Sequence, residues 1–203
     1  MDKAKIVLSA KEAELVSNSD WILTKNGILQ KVKLILEDLQ SKQQEFLQNN
    51  PALLPSEVAI VTPKISKGEN YKGLPWLVLD HPRYFGKDDH FAIRSMFWWG
   101  HFFSITLHIA GSYKKDYEKK IGESFSFLYK DSFYIGINED PWEHHFETDN
   151  YRPVQEMNEQ HFKKEMMSKK FIKLAKKLSF DDWNEAGERL FISFCQLVQW
   201  LAI

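Results

Sequence analysis

The sequence predicts an α+β fold in which an antiparallel β-sheet of about five strands packs against N-terminal and C-terminal helices. Three observations carry this expectation. Apolar residues recur at helical spacing at both ends of the chain. Short runs rich in β-branched and aromatic residues, broken by Pro and Gly, fill the middle. Strands and helices are grouped rather than interleaved, which argues against a doubly wound nucleotide-binding fold. A single domain over 1–203 is expected, with N-terminal helices over 10–48, a sheet region over 58–137 and C-terminal helices over 155–202.

Ser9 and Glu12 have capping-box spacing and predict a helix over 10–17. A second helix should start near Asp20, with Ile28, Val32, Ile35, Leu39 and Phe46 on one side, and end at Asn49-Asn50-Pro51. Val58–Thr62 reads as a first strand, Lys67–Asn70 as a loop and Leu74–Leu79 as a second strand; Pro75, which lacks a donor, places that strand's start or a sheet edge there. A polar loop is expected over His81–His90.

Phe91–Gly111 reads as a hairpin. Gly100-His101 fits a two-residue type II′ turn, which would oppose Trp99 to Phe102, Phe97 to Ser104, Ser95 to Thr106 and Ile93 to His108. Those residues would share one sheet face. Trp98, Met96, Arg94 and Ala92 would lie on the other, opposite Phe103, Ile105, Leu107 and Ile109 in that order. A helix from Ser112 to about Ile121 and a strand over Ser132–Ile137 follow, then a polar irregular stretch over 138–154. Met167, Phe171, Leu174 and Leu178 suggest a further helix, surrounded by Lys163, Lys164, Lys169, Lys170, Lys173, Lys176 and Lys177. Ser179 should cap the last helix, with Trp183, Leu190, Phe194, Leu197 and Leu201 as its buried stripe.

The chain holds 27 basic and 28 acidic residues, a net charge of −1, which argues against a nucleic-acid partner. Its one cysteine, Cys195, excludes an internal disulfide and reads as a small buried hydrophobe. Ile6-Val7-Leu8 is too short for the apolar region of a signal peptide, and no apolar run is long enough to span a membrane, so a cytoplasmic location is expected. No GxSxG, GxxxxGK[ST], GxGxxG or CxxC pattern occurs.

Four features could carry chemistry. The first is the mixed face: Phe97, Trp99 and Phe102 supply aromatic walls, and Ser95, Ser104, Thr106 and His108 supply polar groups, a combination suited to a small partly aromatic ligand. The second is Glu143-His144-His145-Phe146-Glu147, whose neighbouring imidazoles would point apart in an extended segment; an exposed polar loop is the expectation and no metal ligand is assigned. The third is Asp80-His81-Pro82-Arg83 with Asp88-Asp89-His90, able to act as base, acid and anion clamp if they converge. Arg94 belongs with them as a ligand-site candidate: on an apolar face it needs a carboxylate, water or an anionic ligand, with a structural ion pair expected. The fourth is the lysine-rich helix, a surface able to meet an acidic partner, nucleic acid or a membrane, with a solvated face as the expectation. The leading reading is a small-molecule-binding domain. A hydrolase-type enzyme using His81, His90, His144 or His145, with or without a metal, and a protein-interaction or homodimerisation module stay open beside it. The sequence specifies no cofactor.

Overall fold

Seven strands run through the computed structural model, which describes residues 6–202: β1 (Lys64–Tyr71), β2 (Leu74–Phe85), β3 (His90–Trp98), β4 (Phe102–Ala110), β5 (Tyr134–Gly136), β6 (Tyr151–Pro153) and β7 (Phe171–Leu178). They form one sheet in the order β1-β2-β3-β4-β7-β5-β6, antiparallel at every junction. The helices are α1 (Ala10–Ser17), α2 (Ser19–Asn49), α3 (Ser56–Ala59), α4 (Ser112–Glu123), α5 (Phe125–Lys130), α6 (Glu159–Ser168) and α7 (Ala186–Leu201). The fold class is α+β, with seven strands where the sequence suggested about five.

The chain divides into two compact units between Leu34 and Ile35. The first holds α1 and the opening turns of α2. The expected capping box is formed: the Ser9 hydroxyl accepts from Glu12 N–H, and Ser9 N–H donates to the Glu12 carboxylate at 2.8 Å. Asn18 opens α2, its side-chain oxygen accepting from Asp20 N–H at 3.1 Å. The second unit holds the sheet. There the C-terminal turns of α2 bury Leu36, Leu39 and Leu47, and Phe46 meets Phe191 and Phe194 of α7 edge-on.

One sheet face is covered by helices and a 3₁₀ turn. Phe91 packs against Tyr113 and Tyr117 of α4, and Phe97 and Phe103 pack against Phe180 and Trp183. The apolar stripe of α7 matches expectation, with Leu190, Phe194, Leu197 and Leu201 fully buried. Its start does not: Ser179 caps the 3₁₀ turn Phe180–Glu185, and α7 begins only at Ala186.

Four departures from the sequence reading position the site. Val58–Thr62 is not a strand: Ser56–Ala59 forms α3, because so short an apolar run has no decisive period. The expected loop at Lys67–Asn70 is β1. A Cβ at Gly68 would sit 2.6 Å from the indole of Trp76, so this glycine marks a close approach across two strands rather than a turn. The expected loop after Asp80 is strand as far as Phe85; a register shift between Asp80 and Arg83 absorbs Pro82. The lysine-rich helix stops at Ser168, and Phe171–Leu178 is β7, flanked by β4 and β5 and buried along most of its length. Its lysines lie over rings, Lys176 over Phe133 and Lys177 over Tyr134 and Phe146, so this segment is no continuous basic helix.

Candidate functional site

The hairpin turn sets which residues share a face. It holds three residues, not two: Trp98 pairs with Phe102, and His101 N–H donates to the Trp98 carbonyl at 3.1 Å. Gly100, at φ 76°, takes the left-handed position of the turn. The register is therefore one residue away from the expected one. Arg94 opposes Thr106, Met96 opposes Ser104 and Ala92 opposes His108. A one-residue slip exchanges faces. Of the expected ligand-site residues, Phe102, Ser104, Thr106 and His108 lie with Arg94 on the face away from the helices. Ser95 and Phe97 lie on the helix-covered face, and Trp99 stays with Phe97 at 6.3 Å between ring centroids.

The face away from the helices is partly roofed by the segment between β5 and β6. Two side-chain turns shape that segment: Asn138 accepts from Asp140 N–H, and Asp140 accepts from Trp142 N–H, both at 2.8 Å. Trp142 thereby reaches Phe85, His90 and His108. Tyr71 pins the segment to β1: its hydroxyl accepts from the N–H groups of His144 (2.7 Å) and His145 (3.1 Å) and donates to Glu143 at 2.8 Å. Phe146 closes the far side, stacked on Tyr151 and edge-on to Phe102 and Tyr134. Of the exposed polar loop expected here, Glu143–Phe146 is packed down, with His145 buried between Glu143 (3.1 Å) and Asp149 (3.7 Å), while Trp142 and residues 147–149 stay exposed.

Between this roof and strands β1–β3 is a cavity of about 480 Å³. Tyr71, Trp76, Phe85 and Trp142 form aromatic walls, and Val78 and Met96 an apolar base. The polar centre is Arg94. Asp80 takes two of its N–H groups, at 2.7 and 2.9 Å, and Nε2 of His144 lies 2.8 Å from a third. The expected ion pair is thus present. Since a guanidinium can only donate, His144 presents a lone pair at Nε2 and is neutral with its proton on Nδ1. Burial, then the Arg94 and Lys173 charges, hold its pKa well below the usual histidine value.

Behind Arg94 lies a second polar layer. Thr106, His108, His144 and Lys173 line an enclosed void of about 10 Å³. Lys173 is buried, donates to the Glu143 carbonyl and sits over the Tyr151 ring. Burial and the nearby Arg94 charge push its pKa down to about 7. Burial, Lys173, His90 and Arg94 push His108 down to about 3.

Of the histidines named as possible bases, His81 lies apart from the others. His81 lines a separate cavity with Gln44, Ser56 and Thr62, its ring nitrogens without hydrogen-bond partners, and burial lowers its pKa to about 4. His90 stacks on His108 at 5.9 Å. Among the described residues, no three His, Cys, Asp or Glu side chains come together as a metal site. Cys195 is half-buried, and burial raises its pKa to about 11, away from nucleophile behaviour.

Sequence reasoning missed Tyr71, Trp76, Trp142 and Lys173. One signal pointed to Lys173, which is flanked on both sides by apolar pairs, Phe171-Ile172 and Leu174-Ala175, as in a central strand. Around Gly68 five consecutive polar or glycine residues, Ser66–Asn70, hide β1. Comparison with protein-family models, with curated proteins and with solved structures finds no significant match to this chain.

Proposed function

We propose that this protein binds a small, partly aromatic molecule in the cavity between strands β1–β3 and the β5–β6 segment. One observation carries the reading: a cavity of about 480 Å³ has aromatic side chains on several sides and an ordered Asp80–Arg94–His144 array at its centre. Ligand sites combine apolar enclosure with a few fixed polar groups, and the volume lies in the range of small-molecule pockets. The polar array is preorganised, because Asp80 holds the guanidinium plane through two bonds and the Tyr71 hydroxyl holds the backbone of His144. Rings would stack on Trp76 and Trp142, while Arg94 would orient a polar substituent. Thr106 and His108 border the small void behind this array from the next strand, and Ser104 lies on the same face opposite Met96.

A fragment library followed by tryptophan fluorescence tests the reading. Trp142→Leu should abolish or weaken the detected binding by about fivefold or more, since a stacked ring contributes about 1 kcal/mol or more. Trp99→Leu, on the other sheet face, should leave it unchanged. Hits that survive Trp142→Leu and are lost in Trp99→Leu would refute the assignment.

A further inference from the structure

We infer that the molecule bound in this cavity is an anion, an aromatic or heteroaromatic compound carrying a carboxylate or phosphate; this rests on the proposed ligand site and specifies its chemistry. The charged groups lining the cavity are Lys64, Arg83, Arg94 and Asp80. Three are cations, and the single carboxylate is already spent on Arg94 through two hydrogen bonds. The lining therefore carries an uncompensated charge of +2.

The cations have capacity left. A guanidinium has five N–H donors. Arg94 uses three, on Asp80 and His144, which leaves two. Arg83 donates Nε–H to the Thr62 carbonyl at 2.9 Å, which leaves its two terminal nitrogens free for a ligand. Lys64 has no ion-pair partner among the described residues; it pairs with Asp80 only as a backbone neighbour in the β1–β2 ladder.

The layer behind adds to the same field. Lys173, which carries part of a positive charge near neutral pH, lines the void that also touches Arg94 and His144, and the carboxylate of Glu143 is turned instead toward Tyr71, Lys72 and His145. A neutral or cationic ligand would leave this excess uncompensated in a half-enclosed site. An anion would answer it with charge-assisted hydrogen bonds from Arg83 and Arg94. The aromatic walls select the other end of the molecule, as rings stack on Trp76 and Trp142 and cannot on a bare phosphate.

The test uses two probes of one shape and different charge, 1-naphthaleneacetate and 1-naphthaleneacetamide, titrated into the full chain by calorimetry at low ionic strength. The carboxylate should bind about tenfold or more tighter than the amide. That advantage should shrink in 0.5 M NaCl and in Arg83→Gln, whose half-exposed side chain is outside the core. An amide that binds as tightly as the carboxylate would overturn the anion assignment and leave the ligand site standing. Failure of both probes to bind up to their solubility limit would overturn the two together. Equal carboxylate affinity in wild type and Arg83→Gln, with the advantage over the amide intact in high salt, would place the recognised charge elsewhere and also count against this site.

Discussion

Replacing Asp80 with Asn asks whether the cavity floor is a desolvated ion pair. The Arg94 and Asp80 side chains keep only 18% and 10% of their surface exposed, and their bonds are 2.7 and 2.9 Å long. Breaking a buried pair costs about 3–5 kcal/mol, because the partner charge is left without compensation. Residual exposure and the adjoining cavity admit some water, so the lower end applies, and Asp80→Asn should destabilise by about 3 kcal/mol. His144 is neutral and lends Arg94 no charge, and Lys173 repels it. For a unit of this size that loss lowers Tm by roughly 6–12 °C and shifts the urea midpoint without changing the slope. The cycle completed by Arg94→Met and Asp80→Asn/Arg94→Met should show the double variant much less destabilised than the single variants together, with a coupling of about 2–3 kcal/mol. If Asp80→Asn stays within about 0.5 kcal/mol of wild type, Arg94 is solvated and the Asp80–Arg94 pair is not the preorganised polar centre proposed.

Three other outcomes follow from neighbouring features. Gly68→Ala places a Cβ 2.6 Å from the Trp76 indole, so the ring must move; urea unfolding should show a loss of about 1–3 kcal/mol, and probe binding should weaken with it. His81, His108 and His144 are held neutral when folded, with pKa values lowered from 6.5, so the unfolded chain takes up more protons below that pH. The contribution of these histidines is therefore full above about pH 6.5 and lost as pH falls toward 4 for His81 and 3 for His108. His108→Gln should remove about 2 kcal/mol of the loss measured between pH 7 and pH 5. Lys173 titrates near 7 when folded and at 10.5 when unfolded, so it costs stability at neutral pH, and wild-type stability should rise from pH 7 toward 10. Lys173→Met should be more stable than wild type by about 2–3 kcal/mol at pH 7.5, after loss of the hydrogen bond to Glu143, and should lack that rise.

Local chemistry explains which parts of this architecture could be read in advance. The Ser9–Glu12 cap, the hairpin around Gly100 and the stripe of α7 are written in short-range patterns, and each forms. The need of Arg94 for a carboxylate was also legible, since an unpaired charge on an apolar face is costly. Its partner was not, because the pairing of Asp80 with Arg94 depends on how β2 and β3 align. The face assignment failed on one residue of turn length. Gly100 is compatible with a two-residue or a three-residue turn, and only the pairing of Trp98 with Phe102 decides between them. β7 was misread because lysines at 173, 176 and 177 look like the solvated side of a helix, whereas here one is buried and two cover aromatic rings. The roof over the cavity was hidden for a related reason. Polar residues at 138–150 hydrogen-bond to one another and to Tyr71, distant in sequence, so their composition resembles that of an exposed loop.

The most direct test of the ligand site is an NMR titration of the seven tryptophan indole N–H groups with 1-naphthaleneacetate. Trp76 and Trp142, which line the cavity, should shift first and saturate together, while Trp99, Trp183 and Trp200 stay in place. Shifts centred on Trp183 or Trp200, or a spectrum unchanged at probe saturation, would contradict the account.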